Sequence, residues 1–318
     1  MKLAYYSTFP DYSAQNFNME QYIQTYRTSN VIIDAAASSI HYPPHESTLT
    51  IKTVFKGEEH YRTKNCRYRV TENNFLLLNA FNEYESKIES DITAYSFTHS
   101  FSIFFHPAFV REAFATNKIS QGKLLENNIH ESSDSNSFEF IQTLYKKDSR
   151  ILKLLKNIQT APAKLSQNQD YIDEQIHFLF DYLLKTQNKL NTEISKSHPV
   201  KKSTKLELFR RLYLVKDYIE SCYNENIKLS QLAKTACMCE HHTLREFRKY
   251  FKITPHQYLT RIRLEESRKL LSQNQRSISE ISTLVGFEHH SSFSQLFTQR
   301  YKISPSAYRK NSFRKNQF

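Results

Sequence analysis

The chain has 318 residues and a formal net charge of +12, with 39% hydrophobic and 14% aromatic residues, which predicts two folded domains and disfavours a disordered or fibrous protein. No stretch approaches the roughly 20 apolar residues of a membrane helix, and the first ten residues lack a signal-peptide pattern. Four cysteines are too few for a disulfide framework, so a cytoplasmic setting with no membrane partner is expected.

The positive charge is concentrated in the last third of the chain. Residues 201–318 hold 23 basic and 10 acidic side chains, whereas residues 1–200 hold 21 basic and 22 acidic ones. Such an excess predicts a polyanionic partner for the C-terminal part alone. Charge by itself does not distinguish a nucleic acid from an anionic membrane.

Residues 47–105 contain short runs rich in Val, Ile, Phe, Tyr and Thr, separated by polar clusters. This pattern predicts a multi-stranded antiparallel sheet, folded as a barrel or a sandwich. The clearest predicted strands are Leu49–Phe55, Tyr68–Thr71, Phe75–Leu78 and Ser100–Phe105.

After residue 136 the period becomes helical, with one helix predicted from Phe138 to Ile158 and a second from about Tyr171. The second helix carries an apolar stripe, which could pack on the sheet domain or form a dimer contact. We assign the stripe to a homodimer interface, and its residues are Ile172, Ile176, Leu179 and Leu183.

These changes in pattern predict four segments. They are a β-rich sensor domain (1–135), a helical packing or dimerisation segment (136–190), a polar and basic linker (191–204) and a C-terminal domain (205–318).

The C-terminal segment contains a degenerate repeat at an offset of 49 or 50 residues. Lys252-Ile-Thr-Pro255 matches Lys302-Ile-Ser-Pro305, and Phe247 matches Phe297. The offset predicts one supersecondary unit used twice.

Each copy reads as a short helix, a tight turn and a second helix. In the first copy the helices are predicted around Leu229–Ala236 and over Glu240–Phe251. In the second, Ser277 and Glu280 form a capping-box pattern, Gly286 supplies the turn, and His289–Lys302 is the second helix. A long helix from Pro255 to about Ser272 would join them and hold two reading helices at a fixed separation, which suits two successive major grooves of a duplex.

Residues 229–310 closely resemble the DNA-binding domain of AraC/XylS-type transcription regulators. The residues that carry the resemblance are Leu232-Ala233, Arg263-Leu264, Leu270-Leu271, Ser277–Ile281, Gly286-Phe287, Ser292–Phe297 and Ile303–Arg309. The resemblance covers about a quarter of the chain, whereas the N-terminal part is only generically similar to the β-barrel sensor domains of such regulators.

The resemblance implies an α+β chain. Its N-terminal domain would be β-rich, barrel-like (cupin-like) and accompanied by helices, and its C-terminal domain would be all-α, with two helix-turn-helix units joined by a long helix. It further implies a ligand-responsive activator that binds double-stranded DNA, recruits RNA polymerase and acts as a homodimer with a possible small-molecule effector. The N-terminal domain could instead have lost its pocket and serve dimerisation only.

The chain departs from the family at five positions, of which Ser267 and Ser282 replace small Ala residues and should be tolerated. Lys252 and Lys302 stand where the family usually has Gly, so either a left-handed backbone carries Lys at a cost of about 1–2 kcal/mol, or the turn is right-handed. Thr243 replaces a Leu that the family usually buries, which predicts a looser first reading helix.

The base-reading residues are predicted on the outward faces of the two reading helices. Arg245 is suited to guanine O6 and N7, and Gln295 to adenine N6 and N7, with a phosphate contact or a solvated side chain as the alternative. The predicted base readers are His241, Leu244, Arg245, His290, Ser291, Ser292, Ser294 and Gln295. The predicted phosphate contacts are Arg248, Lys249, Arg300, Arg309 and Lys310, while Arg263 is assigned a structural role.

Other chemistries have little support. Glu-His-His beside Cys237-Met-Cys239 invites a zinc site, but the spacing is not that of a finger, and neither a metal nor a cofactor is predicted. No phosphate loop, nucleophile elbow or acid–base pair predicts an enzyme. The competing function is a nonspecific basic nucleic-acid-binding protein without effector control.

Overall fold

A computed structural model describes residues 3–10, 28–89, 97–121, 139–161, 165–196, 202–273 and 276–315. The chain divides into two compact units, Met1–Arg210 and Arg211–Phe318, which we call the N-terminal and C-terminal domains. No helix in these described ranges has the length and apolar character needed to cross a membrane.

In the described part of the N-terminal domain, ten strands form two sheets. The larger sheet has the order β1-β2-β9-β4-β7-β10 and the smaller one β3-β8-β5-β6. All pairs are antiparallel except β1 with β2. The strands are β1 (Leu3–Tyr6), β2 (Asn30–Ala37), β3 (Ser39–His45), β4 (Thr50–Lys56), β5 (Glu58–Thr63), β6 (Arg67–Thr71), β7 (Asn74–Leu78), β8 (Tyr84–Glu89), β9 (Thr98–Phe104) and β10 (Leu144–Lys146).

The larger sheet is buried on both faces, because alternate side chains of each strand point to opposite sides. Ile51 and its partner Ile103 belong to a core shared with the helices. The neighbouring Lys52 and Phe104 instead line a cavity that also involves residues of the smaller sheet. The domain therefore has three layers, with the larger sheet in the middle.

Among the described residues, three helices accompany the sheets: α1 (Pro107–Gln121), α2 (Ser149–Thr160) and α3 (Leu165–Lys196). The carboxylate of Asp148 caps α2 by accepting hydrogen bonds from the backbone N–H groups of Arg150 and Ile151, each at 3.0 Å. Apolar residues of α2 and α3 complete the core of the larger sheet.

The four residues predicted to form a dimer seam lie in this core. Ile172, Ile176, Leu179 and Leu183 on α3 are at most 1% exposed and pack with the sheet of their own domain. Of the two alternatives for the apolar stripe, packing within the domain is the one observed.

The four clearest predicted strands are confirmed as β4, β6, β7 and β9. Of the two predicted alternatives, a barrel or a sandwich, the barrel is not observed: the described strands form two separate sheets, and neither closes on itself. The helix predicted from Phe138 to Ile158 is correct only in its second half. Phe138 lies outside the described residues, and Leu144–Lys146 forms β10, where Tyr145 stacks on Phe75 with ring centroids 5.2 Å apart.

The C-terminal domain is all-helical, which confirms the predicted α+β class for the chain. The helices α4 to α10 are Lys202–Ser221, Leu229–Thr235, Glu240–Phe251, Pro255–Gln273, Ile278–Leu284, His290–Tyr301 and Pro305–Lys315. The predicted linker, 191–204, overlaps the end of α3 and the start of α4, and its residues 197–201 lie outside the described ones.

Candidate nucleic-acid interface

The first helix-turn-helix unit consists of α5 and α6. Leu232 and Ala233 on α5 are each 4% exposed, and Phe247 on α6 is fully buried. Thr243 is also fully buried, and its hydroxyl donates a 3.0 Å hydrogen bond to the carbonyl of Cys239. The opposite face of α6 is thereby left for contacts outside the domain.

The second unit consists of α8 and α9. Ile281, Phe293 and Phe297 are fully buried in one apolar cluster with residues of α7. Ser277 Oγ accepts from the Glu280 N–H at 3.1 Å, and Glu280 Oε2 accepts from the Ser277 N–H at 2.6 Å, which confirms the capping box. The backbone hydrogen bond from Ser277 lowers the pKa of the Glu280 carboxyl.

The structure places all eight predicted base readers on the accessible surfaces of α6 and α9. Six are exposed, and Leu244 and Ser294 are half-buried; the exposed six are His241, Arg245, His290, Ser291, Ser292 and Gln295. The two reading helices therefore present polar or basic side chains near their N-terminal ends, over buried phenylalanines.

Among the predicted phosphate contacts, Arg248, Lys249, Arg300 and Lys310 are exposed. The guanidinium of Arg300 donates to Glu265 Oε1 at 3.3 Å, so this cation is already paired within the domain. Arg309 is half-buried, and its Nε and Nη2 atoms are shielded from solvent without a hydrogen-bond acceptor in the described part of the chain.

A buried polar network joins α4 to the long helix α7. The Lys216 ammonium lies 3.0 Å from both Asp217 Oδ1 and Glu220 Oε2, and the Tyr258 hydroxyl donates to Glu220. Burial alone would lower the pKa of Lys216, but the two carboxylates raise it well above its ordinary value. The network thus fixes the helix that connects the two units.

Arg263 has the structural role predicted for it. Its Nε donates to the carbonyl of Tyr223 and its Nη2 to that of Glu225, both at 2.8 Å. The same guanidinium fills the space beside Gly286, where an added Cβ would lie 2.9 Å from Nη2. Gly286 has φ +88°, so both its conformation and its surroundings require glycine.

Lys252 and Lys302 adopt left-handed conformations at the ends of α6 and α9, with φ of 65° and 59°. The left-handed alternative for these departures from the family pattern is therefore confirmed. Each lysine ends its reading helix where glycine is the usual residue.

The cysteines beside the first reading helix are free and exposed. Cys237 lies in the turn with φ 50°, and Cys239 is the N-cap of α6. Across the described ranges, no group of three or more His, Cys, Asp or Glu side chains could hold a metal ion.

Sequence reasoning missed Glu246, which lies within the first reading helix yet is 7% exposed. Its Oε1 accepts from Arg245 Nε at 2.9 Å and lies 3.8 Å from His242 Nε2. The position of His242, four residues before the acid, is the sequence signal that could have identified the cluster.

The N-terminal domain contains a cavity of about 20 Å³ between its sheets, lined by residues including Tyr42, Ser86 and Ser102. This volume accommodates about one water molecule. The ammonium of the buried Lys52 lies 4.2 Å from the ring centroid of Phe104, and burial lowers the pKa of Lys52 to about 8 against the opposing effect of Glu59.

Comparison with known proteins finds its clearest match in the C-terminal domain. Residues 232–311 match a family model described as a helix-turn-helix domain. Over 97 residues the chain is 34% identical to the probable transcriptional regulator LumQ of Photobacterium leiognathi, a match that covers 30% of this chain and 39% of LumQ.

A second relative is the lactose operon transcription activator of Staphylococcus xylosus, with 29% identity over 155 residues, which are 49% of this chain and 54% of the relative. A third is the regulator YdiP of Escherichia coli K12, with 31% identity over 175 residues, which are 54% and 52% of the two chains. The chain thus spans about half or less of the length of the curated relatives it matches.

Among solved structures, the C-terminal domain of the response regulator yesN from Fusobacterium nucleatum is 31% identical, with a TM-score of 0.29, and the match covers 30% of this chain and 94% of that one. ToxT of Vibrio cholerae, solved with a bound unsaturated fatty acid, is 14% identical, with a TM-score of 0.34 and coverage of 89% and 95%.

The helices and the matched residues define the C-terminal domain as a double helix-turn-helix domain. The curated relatives that share this part of the chain are named as transcription regulators or activators.

Proposed function

We propose that this chain is a sequence-specific DNA-binding transcription regulator that reads two successive major grooves with α6 and α9. The observation that carries the proposal is the exposure of all the predicted base readers, fully or in part, on two helices anchored by buried phenylalanines. The relatives named as regulators and activators, and the excess of 13 basic charges over residues 201–318, support the same function.

The alternative is a nonspecific basic nucleic-acid-binding protein without effector control. Selection of duplexes from a random library by the full-length chain, followed by affinity measurements at two salt concentrations, separates the two. A selected motif with two blocks about one helical turn apart supports the regulator. Salt-steep binding without any motif would support the alternative.

Two substitutions on α6 test which side chains read bases. Arg245→Ala is expected to lose about 1–3 kcal/mol of discrimination at one base pair, because a guanidinium can bind guanine O6 and N7 together. Lys249→Ala is expected to weaken binding to all sequences alike and to reduce the salt slope. Equal losses on every sequence for both variants would assign Arg245 to the phosphates.

The proposal includes a small-molecule effector that binds between the two sheets after the cavity beside Lys52 opens. The cavity-filling variant Ser86→Leu is then expected to keep its operator affinity in vitro but to lose medium-dependent expression of a reporter gene in cells. Ser102→Ala, which leaves the cavity open, is the control. Unchanged medium dependence in Ser86→Leu would exclude this cavity as the effector site, and absence of medium dependence in the wild type would indicate a domain that only dimerises.

Activation through RNA polymerase and a homodimer complete the proposal. Since the predicted seam residues lie in the core, the dimer contact would use the other side of α3. Tyr171 and Phe178 are 43% and 50% exposed there and stand seven residues, or two helical turns, apart. Phe178→Glu is expected to produce monomers in sedimentation, and a dimer unaffected by it would exclude this face.

A further inference from the structure

Glu246 is an unusual residue for a helix that faces a polyanion. It carries a negative charge, and it is 7% exposed although it lies between Arg245 and the core residue Phe247. A buried carboxylate is tolerated only with a cation or with hydrogen-bond donors beside it. Glu246 has both, because Arg245 Nε donates to its Oε1 at 2.9 Å and His242 Nε2 lies 3.8 Å away.

The ion pair uses one end of the Arg245 guanidinium and leaves the other end accessible. The side chain of Arg245 is 71% exposed, and its bond to Glu246 is made through Nε. The N–H donors on the outer edge of the guanidinium, between the two Nη groups, take no part in that bond. Paired Nη donors suffice for guanine O6 and N7.

Anchoring at Nε also restrains a long side chain before DNA arrives. Ordering a rotamer-rich side chain at an interface has an entropic cost, and a side chain that is already ordered avoids part of it. The carboxylate of Glu246 also offsets the positive charge of Arg245, which weakens the attraction of this side chain to phosphates of any sequence. Both effects favour reading of a base over contact with the backbone.

The second unit provides an internal comparison. Fifty residues after Arg245 and Glu246 the chain has Gln295 and Leu296, so the acid is replaced where the arginine is replaced. Leu296 packs against the apolar cluster of its unit. A neutral amide reader needs no charged partner, which explains why an apolar residue serves there.

We propose that Glu246 is a positioning residue that sets the base preference of Arg245. This inference rests on the proposed function, because it requires the first unit to read DNA. Glu246 touches no base itself and acts through the orientation of the guanidinium.

The test uses the full-length chain and the duplex that it selects from a random library. Affinities are measured for this duplex and for duplexes that each differ from it by one base pair. The proteins compared are the wild type, Arg245→Ala, Glu246→Gln, Glu246→Leu and the double variant Arg245→Ala/Glu246→Leu. Glu246→Leu is expected to reduce the preference at the base pair read by Arg245 by roughly 2- to 10-fold. Glu246→Gln is expected to fall between Glu246→Leu and the wild type, and the double variant should match Arg245→Ala.

Glu266→Gln is the matched control for charge. It removes one negative charge from the same domain, at a residue that pairs with Lys269 at 2.6 Å on α7. Its preference profile is expected to stay that of the wild type. Thermal melting of each variant establishes that it is folded, and Glu246→Gln, which keeps size and polarity, maintains the test if Glu246→Leu does not fold.

Three results would overturn the inference. A wild-type preference in both Glu246 variants, with a change only in Arg245→Ala, would remove the role of Glu246 and leave the proposed function intact. Losses spread evenly over all base pairs would assign Glu246 to the stability of the helix. Absence of any sequence preference in the wild type would remove the proposed function together with this inference.

Discussion

The two helix-turn-helix units share a backbone plan but fill it with different side chains. In the second reading helix Phe293 occupies the buried position that Thr243 holds in the first, and Leu296 corresponds to Glu246. Phe247 and Phe297 keep the same place in both. The comparison shows that one buried aromatic anchor per reading helix accompanies the fold in both units, while the positions beside it vary.

The turns within the two helix-turn-helix units also differ, and again the second unit is the more closely packed. Cys237 has φ 50° in the first unit and Gly286 has φ 88° in the second. Arg263 crowds Gly286, whereas the carbonyl of Cys237 accepts a 3.0 Å hydrogen bond from Arg211. The second unit is therefore the more tightly packed of the two, and the first relies more on polar contacts.

The largest difference in stability between the two units is expected when the core residue that differs between them, Phe293 or Thr243, is replaced by alanine. Phe293→Ala should lower the free energy of unfolding by about 3–5 kcal/mol, because it leaves a large cavity. Thr243→Ala should cost only about 0.5–1.5 kcal/mol, for one lost hydrogen bond. Urea denaturation followed by circular dichroism measures both, and equal losses would contradict the difference in packing.

An intermediate effect is expected at the turns. Gly286→Ala should cost about 2–4 kcal/mol, since the left-handed conformation and the contact with Arg263 both penalise a Cβ. Cys237→Ala should change stability little, because Cys237 already carries a Cβ in a left-handed conformation. The melting temperatures of the two variants test this, and a harmless Gly286→Ala would mean that Arg263 moves aside.

The smallest effect on stability is expected at the left-handed lysines that end the reading helices of both units. Lys252→Gly and Lys302→Gly should each stabilise the domain by about 0.5–1 kcal/mol, because glycine relieves the left-handed strain at some cost in unfolded-state entropy. Denaturation midpoints measure the gain. A gain at one position only would show that the two helix ends are less alike than their φ angles indicate.

Much of the C-terminal domain could be predicted from sequence because its signals are local. Ser277 with Glu280 marks a helix start, Pro255 and Pro305 mark two more, and helical spacing identifies the buried faces. The candidate base readers were predicted from the helix geometry. The role of Glu246 did not, because burial of a charged residue depends on side chains that sequence spacing does not place.

The N-terminal domain was harder to predict because its pairings are long-range. Asn30–Ala37 is mostly apolar and does not alternate with polar residues, since both faces of its sheet are covered. The sequence predicts helix at Leu144–Lys146, because three residues carry no period of their own. Pairing with β7, about seventy residues earlier, makes this segment a strand.

The exposed thiols allow site-specific chemical labelling beside the first reading helix. Cys66 and Cys222 are buried, whereas Cys237 and Cys239 are accessible at the turn that leads into α6. A maleimide dye would therefore attach beside the proposed DNA-facing helix without unfolding the chain. Its rate of attachment, with and without duplex, would map occupancy of this unit separately from that of the cysteine-free second unit.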